Sequence, residues 1–160
     1  ANNSQYEAIH NAGLQGLRVA SAARSIEGNA GVAAFYTALG TAIHHDGRRD
    51  LLENPHAFLS EVATSASLPK TIADAFTDET HDELIRFETE IALGRTGKDV
   101  GTPILTFNPK AVNEASLFGP VISKIPRGDE ATKLWDAVQT IAESGVAEIK
   151  RSLRAAPQFD

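Results

Sequence analysis

The sequence predicts a mostly helical α+β fold, in which a helical subdomain precedes a β-hairpin and one more long helix. Helical spacing of apolar residues continues to about residue 96. After Gly97 the spacing changes, because TPILTF and ASLFGPVIS contain the short apolar runs of two strands. The stretch IPRGDEATKLWDAVQTIAES then returns to helical spacing.

The composition excludes several classes of protein. The chain has 160 residues, 42% of them hydrophobic and 22% charged, which is typical of a globular domain. Its net charge of -6 argues against a nucleic-acid surface, and no apolar run reaches the length of a membrane span. The first 30 residues contain no apolar signal core, so we expect a cytoplasmic chain without nucleic-acid or membrane partners.

The absence of cysteine excludes every reaction and every metal site that needs a thiol from this chain. Without cysteine the chain has no disulfide, no thiolate nucleophile and no Cys-ligated zinc. We therefore expect no thiol redox chemistry in this chain as it stands, with no catalytic cysteine, no Cys-ligated metal site and no covalently bound cofactor. The chain begins with Ala1 and contains no methionine, so we expect a processed product or a fragment.

The first two predicted helices are separated near Gly28. Ser4 and Glu7 have the spacing of a capping box at the start of the first helix. The apolar residues that follow at roughly helical spacing are Tyr6, Ile9, Leu14, Leu17 and Ala20. The second helix extends from about Val32 to His44, with one apolar stripe.

Three further helices complete the subdomain, which we expect to span residues 4–96. Asn54 followed by Pro55 is typical of a helix start, because proline lacks a donor that would be unpaired there. LPKTIADAF predicts a short helix. Thr77 or Asp78 then caps a last helix, whose apolar residues are Leu84, Phe87 and Ile91.

Residues 97–155 form the second predicted part, followed by a tail at 156–160. The two strands are joined by a polar loop, Asn108 to Glu114, which is long for a hairpin. The next helix starts at the acidic residues Asp129 and Glu130 and buries an apolar face. Gly145 interrupts the helix, and VAEIKRSL predicts another short one.

The histidines predict structural roles rather than a metal site. Neighbouring helical residues point about 100° apart, so His44 and His45 do not naturally share one ion. Their position near a helix end favours capping over metal ligation by roughly four to one. His81 is expected on an exposed helix face, and His10 and His56 have no partner that the sequence identifies.

Thr102–Pro103 is the more informative site, at the start of the first strand. A proline there needs no donor in the sheet, which explains it without any function. The alternative is a cis peptide bond, which spacing alone does not justify, because only about 5–6% of X–Pro bonds are cis.

Several motifs together carry a family resemblance. DVGTPILTF, SLFGPVISKIPRG, KLWDAV, EIKRSL and the final APQFD resemble the DsbA-like, thioredoxin-fold oxidoreductases of actinobacteria. The most similar group is the mycothiol-dependent nitroreductases, whose helical insertion resembles YTALGTAIHHDG. The resemblance implies that the chain is the insertion, hairpin and C-terminal helix of that fold. The N-terminal βαβ unit, with its C-x-x-C motif, is then missing.

The resemblance also implies a substrate-binding role for four residues. Val100, Gly101, Thr102 and Pro103 match the family's cis-proline loop, which faces the dithiol and orients an extended thiol substrate. Mycothiol is the implied reductant of the parent protein. The implied partners are a low-molecular-weight thiol and a small-molecule or disulfide substrate, and a homo-oligomer is also considered.

Two alternatives stay open. The kappa-class glutathione transferases and the 2-hydroxychromene-2-carboxylate isomerases resemble the same scaffold and place a serine near glutathione. The other alternative is a non-catalytic helical interaction module. The missing dithiol predicts that this chain alone is inactive in dithiol chemistry.

Overall fold

The structure is a computed structural model that describes residues 3–149 and 158, without the side chains of residues 3–5. It divides into two compact units, Ala1–Glu88 and Thr89–Asp160. The division falls inside the last helix of the predicted helical subdomain. The predicted mostly helical α+β class is confirmed for the described residues, which contain long helices and one two-stranded antiparallel sheet.

Helix α1 (Asn3–Gly40) is a helical hairpin with two arms, residues 3–26 and 29–40. The helix breaks at Glu27 and Gly28, where the sequence predicted a separation, and Gly28 has φ 60°. Only glycine adopts that conformation readily. A Cβ atom on Gly31 would lie 2.6 Å from the carbonyl oxygen of Ala23, so the arms touch beside the turn.

The arms are antiparallel and pack through small residues. Far from the turn, a Cβ atom on Gly16 would lie 3.4 Å from Cδ2 of Leu39. The first arm buries Ala12, Gly16, Val19 and Ala23.

The largest apolar residues at helical spacing in this arm are therefore not its buried face, although Ala20 packs against the core. Tyr6, Ile9 and Leu17 are 60%, 54% and 52% exposed. A close helix–helix contact selects small side chains, so the large ones stay outside it. Helix α1 already includes Asn3, so Ser4 lies in its first turn, and the Ser4 side chain is outside the described residues.

A π-helical turn (Thr41–His45) and a 3₁₀ turn (Asp50–Leu52) lead to α2 (Pro55–Ser65). The predicted start of α2 is confirmed, because Oδ1 of Asn54 accepts a hydrogen bond from the Ala57 backbone N–H at 3.4 Å. Pro55 occupies the first helical position, where its missing donor has no cost.

The segment predicted as a short helix by LPKTIADAF is a 3₁₀ helix, Lys70–Thr77, followed by a 3₁₀ turn, Glu79–His81. Helix α3 (Asp82–Thr96) follows, and none of its residues is buried. Its large apolar residues Leu84, Phe87 and Ile91 are exposed.

The first unit has one hydrophobic core, built by both arms of α1, the π-helical turn, α2 and the Lys70–Thr77 segment. Its buried members are Val19, Ala23, Phe35, Ala42, Phe58, Leu59, Val62, Ala63, Leu68, Ile72 and Ala73.

The second unit contains strands β1 (Ile104–Phe107) and β2 (Ala115–Phe118) and helix α4 (Asp129–Glu143). The strands are antiparallel, with Ile104 opposite Phe118 and Phe107 opposite Ala115. Helix α4 lies against both strands and buries Val138.

The ends of this unit differ from the sequence prediction in detail. Strand β2 stops before Gly119 and Pro120, since proline cannot donate to the sheet. Residues 146–149 of the predicted helix VAEIKRSL are not helical, and its residues 150–153 lie outside the described part. Of the predicted tail at 156–160, only Gln158 is described, and its backbone N–H donates to the Ser123 carbonyl at 2.6 Å.

Across residues 3–149 and 158, the structure contains no helix that is both long and apolar enough to traverse a bilayer.

Candidate functional site

The four residues predicted to bind substrate lie together at the open end of the β-hairpin. Gly101, Thr102 and Pro103 are exposed and Val100 is half-buried. The Pro103 carbonyl accepts a hydrogen bond from the Gly119 backbone N–H at 2.8 Å, just outside the Ile104–Phe118 pair. The segment is therefore fixed to β2 on one side.

Two cis peptide bonds lie on the two sides of this end, Thr102–Pro103 on the β1 side and Gly119–Pro120 on the β2 side. The family resemblance implied a cis bond at Thr102–Pro103, whereas the one at Gly119–Pro120 was not predicted. The substrate-orienting role of Thr102 stays a prediction.

Lack of space does not explain why residue 101 is a glycine. A Cβ atom there would lie 3.8 Å from Cε2 of Phe118, an ordinary contact distance. The segment offers three exposed residues, among them Thr102 with its hydroxyl, but no acid, base or strong nucleophile. This composition fits a binding surface and cannot by itself perform thiol chemistry.

The loop between the strands is ordered by one carboxylate. Oε2 of Glu114 accepts a hydrogen bond from the Lys110 backbone N–H at 2.6 Å. Arg95 donates to both carboxylate oxygens, through Nε at 3.2 Å and Nη2 at 3.3 Å. The Lys110 N–H, and after it the Arg95 guanidinium, lower the pKa of Glu114. The sequence predicted the length of this loop but not these contacts.

An aromatic pair connects β1 to α4. The ring of Phe107, which is buried, lies 5.2 Å from the ring of Trp135, centroid to centroid. Trp135 is half-exposed and lies on the helix face that contacts the hairpin. This pair holds the hairpin, and with it the Thr102 segment, against α4.

The histidines form no metal centre among the described residues, where no group of three potential ligands is found. His44 and His45 lie in the π-helical turn, and Nδ1 of His45 lies 3.2 Å from Oδ1 of Asp46. Nε2 of His56 lies 2.7 Å from Oδ1 of Asp74, a partner 18 residues away that no local pattern indicated.

A polar cluster at the start of α3 was also missed by the sequence analysis. Arg18, which is 8% exposed, donates to both carboxylate oxygens of Asp82 at 2.7 Å. Nδ1 of His81 lies 2.9 Å from Oγ of Ser21, and His81 is only partly exposed, so the prediction of an exposed His81 is wrong.

Two carboxylates of this cluster have lowered pKa values. The hydrogen bonds from Arg18 lower the pKa of Asp82. The pKa of Asp78 is lowered mainly by hydrogen bonds from the hydroxyl and backbone N–H of Thr80, which cap the 3₁₀ turn. Both carboxylates are therefore held in the charged form.

A shallow cleft of about 670 Å³ lies in the first unit, between the second arm of α1 and the end of α2. Most of its lining is small: Ala33, Ala34, Thr37, Ala38, Thr41, Ala42, Val62, Ser65, Ala66 and Ser67. Its two charged residues are Asp46 and Arg48. Arg48 is already paired with Asp50 and Glu61, so it is not poised to receive an anion.

A comparison with protein-family models gives the chain its family. The Rv2466c-like family, described as mycothiol-dependent nitroreductase Rv2466c, matches residues 2–151. The match extends through both units of the structure. The chain belongs to this family.

Proposed function

We propose that this member of the mycothiol-dependent nitroreductase family is the substrate-binding portion of a thiol oxidoreductase. The observation that carries the proposal is the family match over residues 2–151. The reactive dithiol then lies on a thioredoxin-like βαβ segment that is not part of the 160 residues, which contain no cysteine. A cytoplasmic location belongs to the same proposal.

The hairpin end supports a binding role in this function. Thr102 is an exposed residue, and its backbone lies next to the Pro103–Gly119 hydrogen bond that fixes the segment. An extended thiol or disulfide substrate can pair with such a backbone in the way a peptide pairs with a sheet edge. In the proposal, Val100 and Gly101 shape the approach to Thr102.

Mycothiol is the proposed source of electrons. Two thiols release two electrons and two protons when they form one disulfide. These reduce a nitro group to a nitroso group, and one oxygen leaves as water. This chain contributes no thiol to the step, so its proposed part is to hold the substrate.

The family match favours mycothiol over glutathione as the thiol. The glutathione transferase and isomerase alternatives therefore have less support than the nitroreductase function. A non-catalytic interaction module remains the alternative if no thiol-bearing segment belongs to the protein.

Sequencing the gene upstream of Ala1 tests the proposal first. We expect a strand, a C-x-x-C motif and a helix in that order. The corresponding gene product should reduce a nitroaromatic compound with mycothiol, and Thr102→Pro, which removes the Thr102 backbone N–H, should lower the activity. Thr102→Val keeps the backbone and is the matched control. An upstream region without a dithiol would overturn the proposal.

A further inference from the structure

Helix α3 is attached to the first arm of α1 by charged and polar groups instead of a buried apolar face. None of its residues is buried, and its large apolar side chains Leu84 and Phe87 are exposed. An isolated helix of about 12–15 residues is only marginally stable in water. The order of α3 therefore depends on the side chains that connect it to α1.

Two ion pairs make this connection, and each joins residues 64 positions apart. One is Arg18–Asp82, and the other is Arg24–Glu88, with Nη1 2.5 Å from Oε1. The equal separation means that α3 and the first arm run parallel along this interval. The first pair holds the beginning of α3, and the second holds its middle.

The two pairs differ in strength. Both side chains of the Arg18–Asp82 pair are largely shielded, and its two hydrogen bonds join the planar guanidinium to both carboxylate oxygens. The nearby His81–Ser21 hydrogen bond adds a second attachment at the same end. Salt screens such a shielded pair weakly.

The Arg24–Glu88 pair is exposed and has a single hydrogen bond. Exposed pairs contribute little to stability and are screened by salt. Nε of Arg24 is buried without a hydrogen-bond partner. Because an unsatisfied buried donor is destabilising, it offsets part of the stability that the Arg24–Glu88 pair contributes.

We propose that α3 is a hinged helix, which stays anchored to α1 at Asp82 and detaches from it at Glu88. Arg18–Asp82 and His81–Ser21 are the anchor, and Arg24–Glu88 is the latch.

Hydrogen exchange of the whole chain, followed by mass spectrometry, tests the hinge. Raising NaCl from about 0.1 M to about 1 M shortens the Debye length from about 10 Å to about 3 Å. We expect the amides of residues 86–92 to exchange roughly twofold to fivefold faster, the factor that an exposed ion pair provides. The amides of α2 should not change.

Three variants separate the latch from the anchor. Glu88→Gln should reproduce the effect of salt and remove most of the salt dependence. Glu90→Gln, a matched change at an exposed position of the same helix, should leave exchange unchanged. Asp82→Asn should accelerate exchange along α3 by roughly tenfold or more, because it leaves shielded Arg18 without its carboxylate.

The protection of α2 shows whether each variant is still folded. The hinge is overturned if neither salt nor Glu88→Gln changes exchange in α3. It is also overturned if α2 and α3 accelerate together, or if Glu90→Gln has the same effect as Glu88→Gln.

Discussion

Gly31 lies where the two arms of α1 come closest. A Cβ atom there would be 2.6 Å from the Ala23 carbonyl oxygen, a backbone atom that cannot move aside without shifting an arm. We expect Gly31→Ala to lower the free energy of unfolding by about 1–3 kcal/mol, the range for overpacked sites. Urea unfolding followed by far-UV circular dichroism measures this.

Gly13→Ala is the matched control in the same helix. Beyond the chain neighbours and the adjacent helix backbone, no atom lies within 4 Å of a Cβ at Gly13, so the substitution gains helix propensity without crowding. It should raise the free energy of unfolding by about 0.5–1 kcal/mol. Equal effects of the two substitutions would contradict the close contact of the arms.

The ionisation of Asp82 should make the stability of the folded chain depend on pH. Its folded-state pKa is lowered by the hydrogen bonds from Arg18, whereas an unfolded aspartate titrates near pH ~3.9. The stabilisation is therefore complete above the unfolded pKa and is lost as the pH falls through the folded pKa. We expect Asp82→Asn to lower the melting temperature at pH 7, and this difference to shrink below about pH 4.

Thermal unfolding at a series of pH values measures that difference. Glu90→Gln serves as the control, because exposed substitutions usually change stability by less than about 0.5 kcal/mol. A melting-temperature difference for Asp82→Asn that persists unchanged to pH 2 would contradict the role of the Arg18 pair.

Side-chain contacts between residues far apart in the chain could not be predicted from the sequence. Arg18 and Asp82 are 64 positions apart, and His56 and Asp74 are 18 apart. No local spacing reports such contacts, because they depend on how the helices pack. By contrast, Asn54 and Pro55 act within one turn, and that prediction is confirmed.

The hairpin and α4 form an element whose stability depends on Phe107. Phe107 is 6% exposed and contacts Trp135, the single tryptophan of the chain. We expect Phe107→Ala to destabilise this element by about 3–5 kcal/mol, the usual cost of truncating a buried aromatic residue. Urea unfolding followed by the fluorescence of Trp135 reports on this element directly.

Val112→Ala is the comparison within the same unit. Val112 is exposed in the loop between the strands, so its truncation should change stability by less than about 0.5 kcal/mol. An effect of Phe107→Ala no larger than that of Val112→Ala would contradict the packing described for β1 and α4.

Helices, strands and their order were predictable at the element scale, but the buried faces were not. The break at Gly28, the start of α2 and the hairpin follow from residues that act locally. In the first arm of α1, however, the close contact with the second arm buries Ala12 and Ala23 and leaves Leu17 outside. Hydrophobic size is a poor guide where two helices are close enough to select small residues.

The whole chain is expected to unfold in two steps. The described core of the first unit draws its buried residues from positions 19–73, all within that unit. Leu59 is fully buried there, so its truncation to alanine should lower the free energy of unfolding of this unit by about 2–5 kcal/mol. Leu59→Ala should shift the far-UV transition of the helical unit and leave the Trp135 fluorescence transition in place.

Circular dichroism and fluorescence recorded on the same urea series make this comparison. Coincident transitions that move together in Leu59→Ala would show one cooperative unit instead of two. The two compact units of the structure meet within α3, at Glu88 and Thr89, and the helical subdomain that ends at residue 96 stays a prediction. Helical periodicity does not mark this division, because α3 continues through it.

We propose that the 160 residues hold the substrate of a mycothiol-dependent oxidoreductase and lack its dithiol. The test of this proposal is the mycothiol-coupled reduction of a nitroaromatic compound. The reaction is measured in parallel on this chain and on the gene product that includes the upstream segment. We predict turnover by the longer protein and none by the cysteine-free chain. Turnover by this chain, in a sample free of other oxidoreductases, would contradict the proposal that the dithiol lies outside these 160 residues.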